Sequence, residues 1–265
     1  MKRLLITGAA GALGLELRER LRGAAPAIRL SDIAPMAAAR EGEEVVRCDL
    51  ADEPATLALC RDVDAIVHLG GQSIEADWPT VHRANIMGAI NLWEAARKAG
   101  VGRVLFASSN HAIGLYRRSQ RLDHDSEPRP DSRYGLSKAF GEDLARLYAY
   151  KHGVRAYCMR IGTCMPAPLN ERALSTWLSY PDFERLVRVG LTADYAFEVV
   201  YGVSRNTRSW WDNANAHRLG YAPGDDAEAF AAELIGKTTG DPLDEAFQGG
   251  PFVSPDFTGD AGTIP

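Results

Sequence analysis

Tyr134 and Lys138 are the residues whose types and spacing point most directly to chemistry. They stand four positions apart in the stretch from Asp131 to Lys138, so on a helix they share one face. A tyrosine phenol titrates near pH ~10, and an ammonium one helical turn away favours the phenolate and lowers the pKa of the phenol. The spacing therefore predicts an acid–base pair. The competing interpretation is an exposed helical pair with no role in catalysis.

A run of polar residues, Ser108-Ser109-Asn110-His111, follows the predicted fifth strand at 103–107. In an open parallel sheet, ligands lie beyond the carboxyl ends of the strands. We therefore expect these four side chains at a reaction centre. The alternatives are serines that only cap the end of a strand and a histidine that is packed or lies on the surface.

The elements that must position these groups begin at the N-terminal end of the printed sequence. A short apolar strand at 2–7 runs into Gly8-Ala9-Ala10-Gly11-Ala12-Leu13-Gly14, which opens an amphipathic helix. Small residues let the backbone approach a pyrophosphate closely, and the helix N-terminus offers N–H groups to the phosphates. The pattern predicts a dinucleotide site.

Asp32 ends the next predicted strand, at the separation from the glycines that places a carboxylate on the adenosine ribose. Because it would repel a 2′-phosphate and no Arg or Lys follows at 33–35, it favours NAD; the alternative is an Asp that caps a loop. Asp49-Leu50 and Gly70-Gly71 close the third and fourth strands. We expect Asp49 at the adenine amine and the Gly70-Gly71 backbone beneath the ribose.

Alternating strands and helices predict an α/β fold, a Rossmann-type doubly wound parallel sheet with a small C-terminal substrate lobe. The six expected strands are 2–7, 27–30, 44–48, 65–69, 103–107 and 154–160. Prolines and aromatic-rich pieces such as Val199-Val200-Tyr201 and Trp210-Trp211 interrupt the pattern after Ile161. The predicted division is residues 1–160 for NAD binding, 161–236 for the lobe and 237–265 for an arm.

Composition narrows the function further. The chain has 265 residues, 46% of them hydrophobic, and a formal net charge of −5, which argues against nucleic acid or an anionic membrane as partner and favours small-molecule chemistry. The cysteines at 48, 60, 158 and 164 have no zinc-like or disulfide-like spacing, so no metal site is predicted. A reduced cytoplasm fits best. We expect neither a signal peptide nor a membrane span.

These motifs together resemble the extended short-chain dehydrogenase/reductases, which include NAD-dependent epimerases and dehydratases. Within that superfamily the chain is similar to the bacterial uronate dehydrogenases over almost its whole length. The later segments that carry this likeness are GGQS at 70–73, SSNH at 108–111, RIGTC at 160–164, LSTW at 174–177, VVYG at 199–202, WWDN at 210–213 and FQGG at 247–250.

The resemblance implies NAD-dependent oxidation of the anomeric C1 of D-galacturonate or D-glucuronate to an aldarolactone, which opens to the aldarate. Tyr134 would take the hydroxyl proton, Lys138 would hold the ribose, and Ser109 would hydrogen-bond the reacting oxygen. The implied substrate-binding residues are Ser73, Ser109, Asn110, His111, Tyr134, Thr163 and Arg172, with Arg172 on the carboxylate. Many family members have serine where this chain has Thr163, which keeps the hydroxyl and adds a methyl.

The cofactor-binding residues expected from the motifs and the resemblance form a longer set. They are Gly8, Gly11, Ala12, Leu13, Gly14, Asp32, Ile33, Asp49, Leu50, Leu69, Gly70, Gly71, Asn85, Ser108, Tyr134, Lys138, Ile161 and Cys164.

Two other functions compete with a uronate dehydrogenase. A nucleotide-sugar epimerase or dehydratase shares the cofactor and the Tyr-Lys pair, but only about a hundred residues follow the sixth strand, which leaves little room for a nucleotide. A non-catalytic NAD-binding regulator would not need Tyr134, Lys138 and Ser109 together. A homo-oligomer, a dimer or larger, is expected. The arm from Phe247 to Phe257 is predicted to pack at a subunit contact, since its aromatic residues would otherwise be exposed.

Overall fold

A computed structural model describes residues 1–265, the whole printed sequence. The nine strands are β1 (Arg3–Thr7), β2 (Ala27–Asp32), β3 (Glu43–Arg47), β4 (Ala65–His68), β5 (Arg103–Ser109), β6 (Arg155–Ile161), β7 (Thr163–Cys164), β8 (Trp177–Leu178) and β9 (Phe197–Gly202). Seven of them form one sheet in the order β3-β2-β1-β4-β5-β6-β9, and the registered pairs β1–β2, β1–β4, β2–β3 and β4–β5 are all parallel.

Ten α-helices connect or follow these strands. They are α1 (Ala12–Arg20), α2 (Glu53–Leu59), α3 (Trp78–Val81), α4 (Gly88–Ala99), α5 (Arg133–His152), α6 (Ala173–Thr176), α7 (Tyr180–Thr192), α8 (Ala214–Arg218), α9 (Ala231–Leu234) and α10 (Pro242–Ala246). A π-helix (His82–Met87) joins α3 to α4. None of the helices combines the length and the apolar composition needed to cross a lipid bilayer.

The doubly wound parallel sheet predicted from the sequence is confirmed. All six expected strands are present to within a few residues. Val199-Val200-Tyr201 was assigned to the lobe, and this was wrong: these residues belong to β9, the seventh strand of the sheet. A continuous apolar run suits a strand buried on both faces as well as it suits the core of a lobe, so its composition alone could not distinguish the two.

Residue contacts divide the chain into two compact units, each assembled from separated segments. The first unit comprises Met1–Ala107, Phe140–Cys158 and Gly190–Glu198, and the second comprises Ser108–Ala139, Met159–Val189 and Val199–Pro265. The contiguous division at 160/161 and 236/237 stays a prediction.

The core of the first unit follows from its unbroken apolar strands. Leu4, Leu5 and Ile6 of β1 have no exposed surface, and neither have Leu30 of β2 and Trp93 of α4. Strands of a parallel sheet are covered on both faces and therefore read as hydrophobic runs without alternation. This core fixes the carboxyl ends of β1, β2 and β4, where the glycine motif and Asp32 lie.

The second unit is built around stacked aromatic residues. The rings of Tyr201 and Trp211 lie 5.0 Å apart and nearly parallel, in a cluster with Ile113, Tyr116 and Leu122. Trp211 is thus a core residue, and Trp210 packs against this core. The loop at 117–130 contributes Leu122 to this cluster, where its side chain is buried.

The C-terminal arm folds back on its own chain. Phe247 is completely buried and pairs with Arg117 in an antiparallel bridge. The backbone N–H groups of Gln248 and Gly249 donate to the carbonyls of Tyr116 (2.8 Å) and Gly114 (2.9 Å). The premise that the arm needs a neighbouring subunit to cover its aromatic residues was therefore wrong for Phe247.

Candidate active site

The glycine motif of the first unit is held tightly on one side and open on the other. Gly8 has φ +70°, and a Cβ there would lie 2.6 Å from the carbonyl carbon of Leu69; a Cβ on Gly14 would lie 2.3 Å from the Gly8 oxygen. A Cβ on Gly11 would meet only that oxygen, at 3.4 Å. Gly11 is also the N-cap of α1 and provides no side-chain cap, so the first-turn N–H groups remain for an anionic ligand.

Asp32 is fixed beside this loop. It ends β2, and its two carboxylate oxygens accept the backbone N–H groups of Ala10 and Ala34, both at 2.9 Å. A carboxylate anchored in this way is rigid and can still accept hydrogen bonds from ribose hydroxyls, because each oxygen has two lone pairs. Ile33, which follows it, is exposed.

A second loop in the first unit, Gly70 to Ser73, is clamped by the π-helix. The Asn85 amide accepts the Gln72 N–H at 2.7 Å and donates to the Gln72 carbonyl at 3.1 Å. Gly71 has φ +130°, and a Cβ there would lie 2.6 Å from the Asn85 Oδ1. A Cβ on Gly70 would lie 3.0 Å from the Leu50 Cδ1. These glycine positions form a cradle that any side chain would fill, which is what a dinucleotide requires of its binding loops.

Asp49, which was expected at the adenine amine, forms hydrogen bonds within the protein. Arg83 donates to its Oδ2 at 2.6 Å and the Ala51 N–H donates to its Oδ1 at 2.9 Å. The Ala51 hydrogen bond, followed by Arg83, holds the pKa of Asp49 below its usual value. Its proposed contact with the adenine amine stays a prediction, and it would have to form beside the Arg83 ion pair. Ser73 is exposed in the loop that follows β4.

The second unit holds the acid–base group. Ser109 ends β5, while Tyr134 and Lys138 lie one turn apart in α5. All three are buried. The Ser109 side chain forms a hydrogen bond with the Tyr134 hydroxyl, and the Lys138 Nζ lies 5.4 Å from the centre of the Tyr134 ring. Ser109 Oγ also accepts the His111 N–H at 3.2 Å, which begins a short 3₁₀ helix.

The pKa of Tyr134 moves in the direction opposite to the one expected. Burial raises the pKa of Tyr134 to about 12, against a smaller lowering by the Ser109 hydrogen bond. Burial also lowers the pKa of Lys138 to about 8. The prediction that the ammonium lowers the pKa of the phenol was therefore wrong for this structure, because burial disfavours the charged forms of both groups. Tyr134 is protonated at neutral pH here.

Arg172 forms hydrogen bonds only with neutral groups, while the carboxylates of Asp131, Glu245 and Asp244 act on its charge at longer range. Its Nε and Nη2 donate to the Gln248 carbonyl at 2.9 and 2.5 Å, and its Nη1 lies 3.4 Å from Thr163 Oγ1. In the amide orientation that satisfies both of its groups, Asn110 accepts from Nη2 at 2.7 Å and donates to the Ile161 carbonyl. Burial lowers the pKa of Arg172 to about 10, with Arg118 contributing, so the guanidinium stays charged near neutral pH.

His111 is paired with Asp131, a residue for which no sequence pattern predicts a role. Its Nδ1 lies 2.7 Å from Asp131 Oδ2, its ring stacks on Phe252 with centres 3.8 Å apart, and its edge meets the Tyr134 ring at 5.8 Å. Asp131 stands only three positions before Tyr134, and Phe252 follows the FQGG segment. Nothing local in either stretch indicates contact with His111.

The structure thus sorts the expected site residues by unit. The second unit brings together Ser109, Asn110, His111, Tyr134, Lys138, Thr163 and Arg172, and also contains Ser108, Ile161 and Cys164. Ile161 ends β6, and Cys164 pairs with Leu178 in β7–β8. The first unit holds the others, Gly8, Gly11, Ala12, Leu13, Gly14, Asp32, Ile33, Asp49, Leu50, Leu69, Gly70, Gly71, Ser73 and Asn85.

Comparison with known proteins agrees with a dinucleotide-binding site and an acid–base group in this chain. Residues 4–173 match the model of the NAD dependent epimerase/dehydratase family. A uronate dehydrogenase of Pseudomonas putida is 50% identical over 255 residues, which cover 95% of each chain. A mutant uronate dehydrogenase from Agrobacterium tumefaciens, solved in complex with NAD, is 47% identical over 96% of this chain and 97% of that one, with a TM-score of 0.92. A glucuronic acid dehydrogenase from Chromohalobacter salexigens is 48% identical over 95% and 96%, with a TM-score of 0.91.

Proposed function

The chain belongs to the NAD dependent epimerase/dehydratase family, and on this premise we propose that it oxidises hexuronates such as D-galacturonate and D-glucuronate at C1. The cofactor is NAD, which fits the glycine cradle and the anchored Asp32 carboxylate. The observation that carries the substrate assignment is Arg172, a guanidinium in the same unit as Ser109 and Tyr134 whose hydrogen-bond partners are all neutral acceptors. A sugar carboxylate would give it a directly hydrogen-bonded ionic partner.

The reaction removes a proton and a hydride from the anomeric centre. NAD, when bound, supplies the hydride acceptor. The hydroxyl group on C1 loses its proton, the C1–H bond breaks and its hydrogen leaves as hydride, and C1 becomes the carbonyl carbon of an aldarolactone; water then opens the ring ester to the aldarate. We assign the proton acceptance to Tyr134 and the hydrogen bond to the reacting oxygen to Ser109.

The protonation states set the pH at which this chemistry runs. Burial raises the pKa of Tyr134 to about 12, so the phenol must first lose its proton to act as a base. Alkaline conditions favour that loss, so activity should rise with pH. Burial also lowers the pKa of Lys138 to about 8. Lys138 is proposed to hold the ribose beside Tyr134.

The remaining roles are assigned on the resemblance. Ser73, Asn110, His111 and Thr163 would contact sugar hydroxyls, and Ser108, Ile161 and Cys164 would line the nicotinamide end of the cofactor. We also propose that the chain forms a homo-oligomer. A reducing cytoplasm is proposed as well, and the four cysteines, which form no disulfide, support it.

A substrate panel tests the proposed function. We would follow NADH absorbance with galacturonate, glucuronate, galactose and a UDP-sugar as substrates and NAD as the oxidant. Both uronates should react and galactose should not, because a neutral hexose would leave the Arg172 charge unpaired. Equal rates with galactose would refute the uronate assignment, and turnover only of the UDP-sugar would indicate an epimerase or dehydratase instead.

A further inference from the structure

Asp131 carries an inference about how the sugar is recognised, and it rests on the function proposed above. We propose that Asp131 is a positioning residue: it fixes the tautomer of His111 so that the His111 Nε2 accepts a hydrogen bond from a hydroxyl of the uronate. The site would then read its substrate with one strong donor, Arg172, and one fixed acceptor, His111.

The Asp131 carboxylate is enclosed by backbone that leaves no space for side chains. A Cβ on Gly114 would lie 1.8 Å from Asp131 Oδ2, one on Gly249 would lie 2.0 Å from it, and one on Gly135 would lie 3.0 Å from Oδ1. The Asp131 side chain has no exposed surface. Three glycines from separate segments therefore surround one acid, and a buried carboxylate persists only where it is hydrogen-bonded.

The hydrogen bonds of Asp131 determine which nitrogen of His111 carries the proton. Ser132 Oγ donates to Oδ1 at 2.7 Å, and the His111 Nδ1 lies 2.7 Å from Oδ2. A carboxylate accepts hydrogen bonds, so the proposed arrangement has Nδ1 as the donor. A neutral imidazole with its proton on Nδ1 has its lone pair on Nε2, which makes Nε2 an acceptor.

The ring of His111 is also fixed in orientation. Phe252 stacks on one face with an interplanar angle of 24°, and the Tyr134 ring meets it edge-on at 64°. The His111 side chain is 13% exposed, while the carboxylate on its Nδ1 side is fully buried. Because a fully buried carboxylate takes Nδ1, Nε2 is the ring nitrogen left for a ligand.

Asp131→Asn tests the proposal because it keeps the shape and reverses the hydrogen bond. The amide introduced by this substitution can donate to Nδ1, which moves the His111 proton to Nε2 and turns the acceptor into a donor. We expect the KM for galacturonate to rise about 10- to 100-fold, the size of a lost hydrogen bond in a buried site. The KM for NAD should change less than about twofold, and kcat should fall less than the uronate KM rises.

Ser132→Ala is the matched control, since it removes the Ser132 hydrogen bonds to Asp131 and to the Gly135 N–H and leaves the Asp131 contact with His111. Its KM for galacturonate should stay within about threefold of the wild type. In a His111→Gln background, Asp131→Asn should add less than about a twofold effect, because a residue that acts through His111 has nothing left to position.

Nitrogen NMR of the histidine side chains reads the tautomer without turnover, and the chain has six histidines, so the His111→Gln spectrum identifies the signal. Wild-type His111 should be protonated on Nδ1 and the Asp131→Asn variant on Nε2. A wild-type His111 protonated on Nε2 alone would overturn the proposal even if the variant failed to fold. So would a folded Asp131→Asn variant with an unchanged uronate KM, in which case the uronate assignment would stand. A wild type that oxidises no uronate would instead refute the proposed function and, with it, the substrate contact of His111.

Discussion

The backbone oxygen of Gln248 accepts hydrogen bonds from both Nε and Nη2 of Arg172, although the two residues are 76 positions apart. Gly250 lies against the same side chain, since a Cβ there would be 2.8 Å from the Arg172 Cδ. The guanidinium is thus held by the C-terminal arm and is aimed before any substrate arrives. A side chain that is already ordered loses little conformational entropy when it binds a carboxylate.

Arg172→Ala should reduce kcat/KM for galacturonate by roughly 30-fold to several thousand-fold, corresponding to about 2–5 kcal/mol for a desolvated charge pair. Arg172→Lys should recover part of this loss, because an ammonium keeps the charge without the planar fork. Arg121→Ala serves as the control, since its side chain is 72% exposed. Steady-state kinetics with NAD held constant would measure all three. If Arg172→Ala left kcat/KM for galacturonate unchanged, the proposed binding of the sugar carboxylate by Arg172 would be refuted.

Tyr134→Phe should lower kcat by at least about 100-fold while NAD affinity stays nearly unchanged, because the hydroxyl serves proton transfer rather than binding. Tyr150→Phe, at a position 69% exposed, should have wild-type activity. Turnover at saturating substrate and NAD titration would check both variants. If Tyr134→Phe kept more than about a tenth of kcat, another base would have to be found.

Replacement of Lys138 by Met should change the pH dependence of stability. Burial lowers the folded-state pKa of Lys138 to about 8, so between that pH and its ordinary value of 10.5 the unfolded chain binds the extra proton. The free energy of unfolding of the wild type should therefore rise with pH in this window, relative to Lys138→Met, by about 2 kcal/mol from pH ~7 to ~10.

Urea unfolding of the wild type and Lys138→Met at both pH values would measure this difference. The pKa of Tyr134 is raised to about 12, so its opposite contribution, a loss of stability as pH rises, begins only above pH ~10. A stability difference that did not change with pH would mean that the Lys138 ammonium has no burial penalty.

Asp32 should determine the choice of cofactor. Its carboxylate is anchored by the Ala10 and Ala34 N–H groups, so it would meet a 2′-phosphate as a fixed like charge. We expect kcat/KM for NAD to exceed that for NADP in the wild type, and the ratio to fall in Asp32→Ala. Asp62→Ala, which changes another acid in the same unit, should leave the ratio unchanged. Equal values for the two cofactors in the wild type would exclude the role of Asp32.

Phe247→Ala should lower the free energy of unfolding by about 3–5 kcal/mol, as for other fully buried phenylalanines. The loss should also raise the uronate KM, because the next residue, Gln248, holds Arg172. Phe257→Ala, at a half-buried position, should cost clearly less. Chemical denaturation at several protein concentrations would measure both. If the stability loss of Phe247→Ala alone depended on protein concentration, the arm would have to be assigned to a subunit contact.

The sequence predicted what depends on local pattern. The glycine motif, Asp32 and the Tyr134–Lys138 spacing each lie within one strand-helix unit, where periodicity and turn residues are informative. The fold class followed from the repeated alternation of strands and helices. The direction of the Tyr134 pKa shift could not be predicted, because it depends on burial, which no spacing reveals.

The contacts that complete the sugar side of the site join distant segments. Asp131 is 20 positions from His111, and Gln248 is 76 from Arg172. Such pairs are set by tertiary packing, and neither Gln248 nor Phe252 has a residue type that marks it as functional. The FQGG segment indicated that the region matters, but it could not show that two of its glycines make room for Asp131 and Arg172.

The fold-back of the arm has a consequence during synthesis on the ribosome. A nascent chain that has emerged as far as Ala246 already contains Ser109, Tyr134 and Arg172, yet it lacks the carbonyl that aims the guanidinium and the ring that covers His111. Segments made earlier can fold while the rest is translated, so the cofactor loops can take shape first. If Arg172 and His111 have the proposed roles, we expect the chain to bind a sugar acid only after residues 247–252 have left the exit tunnel, later than the cofactor loops can fold.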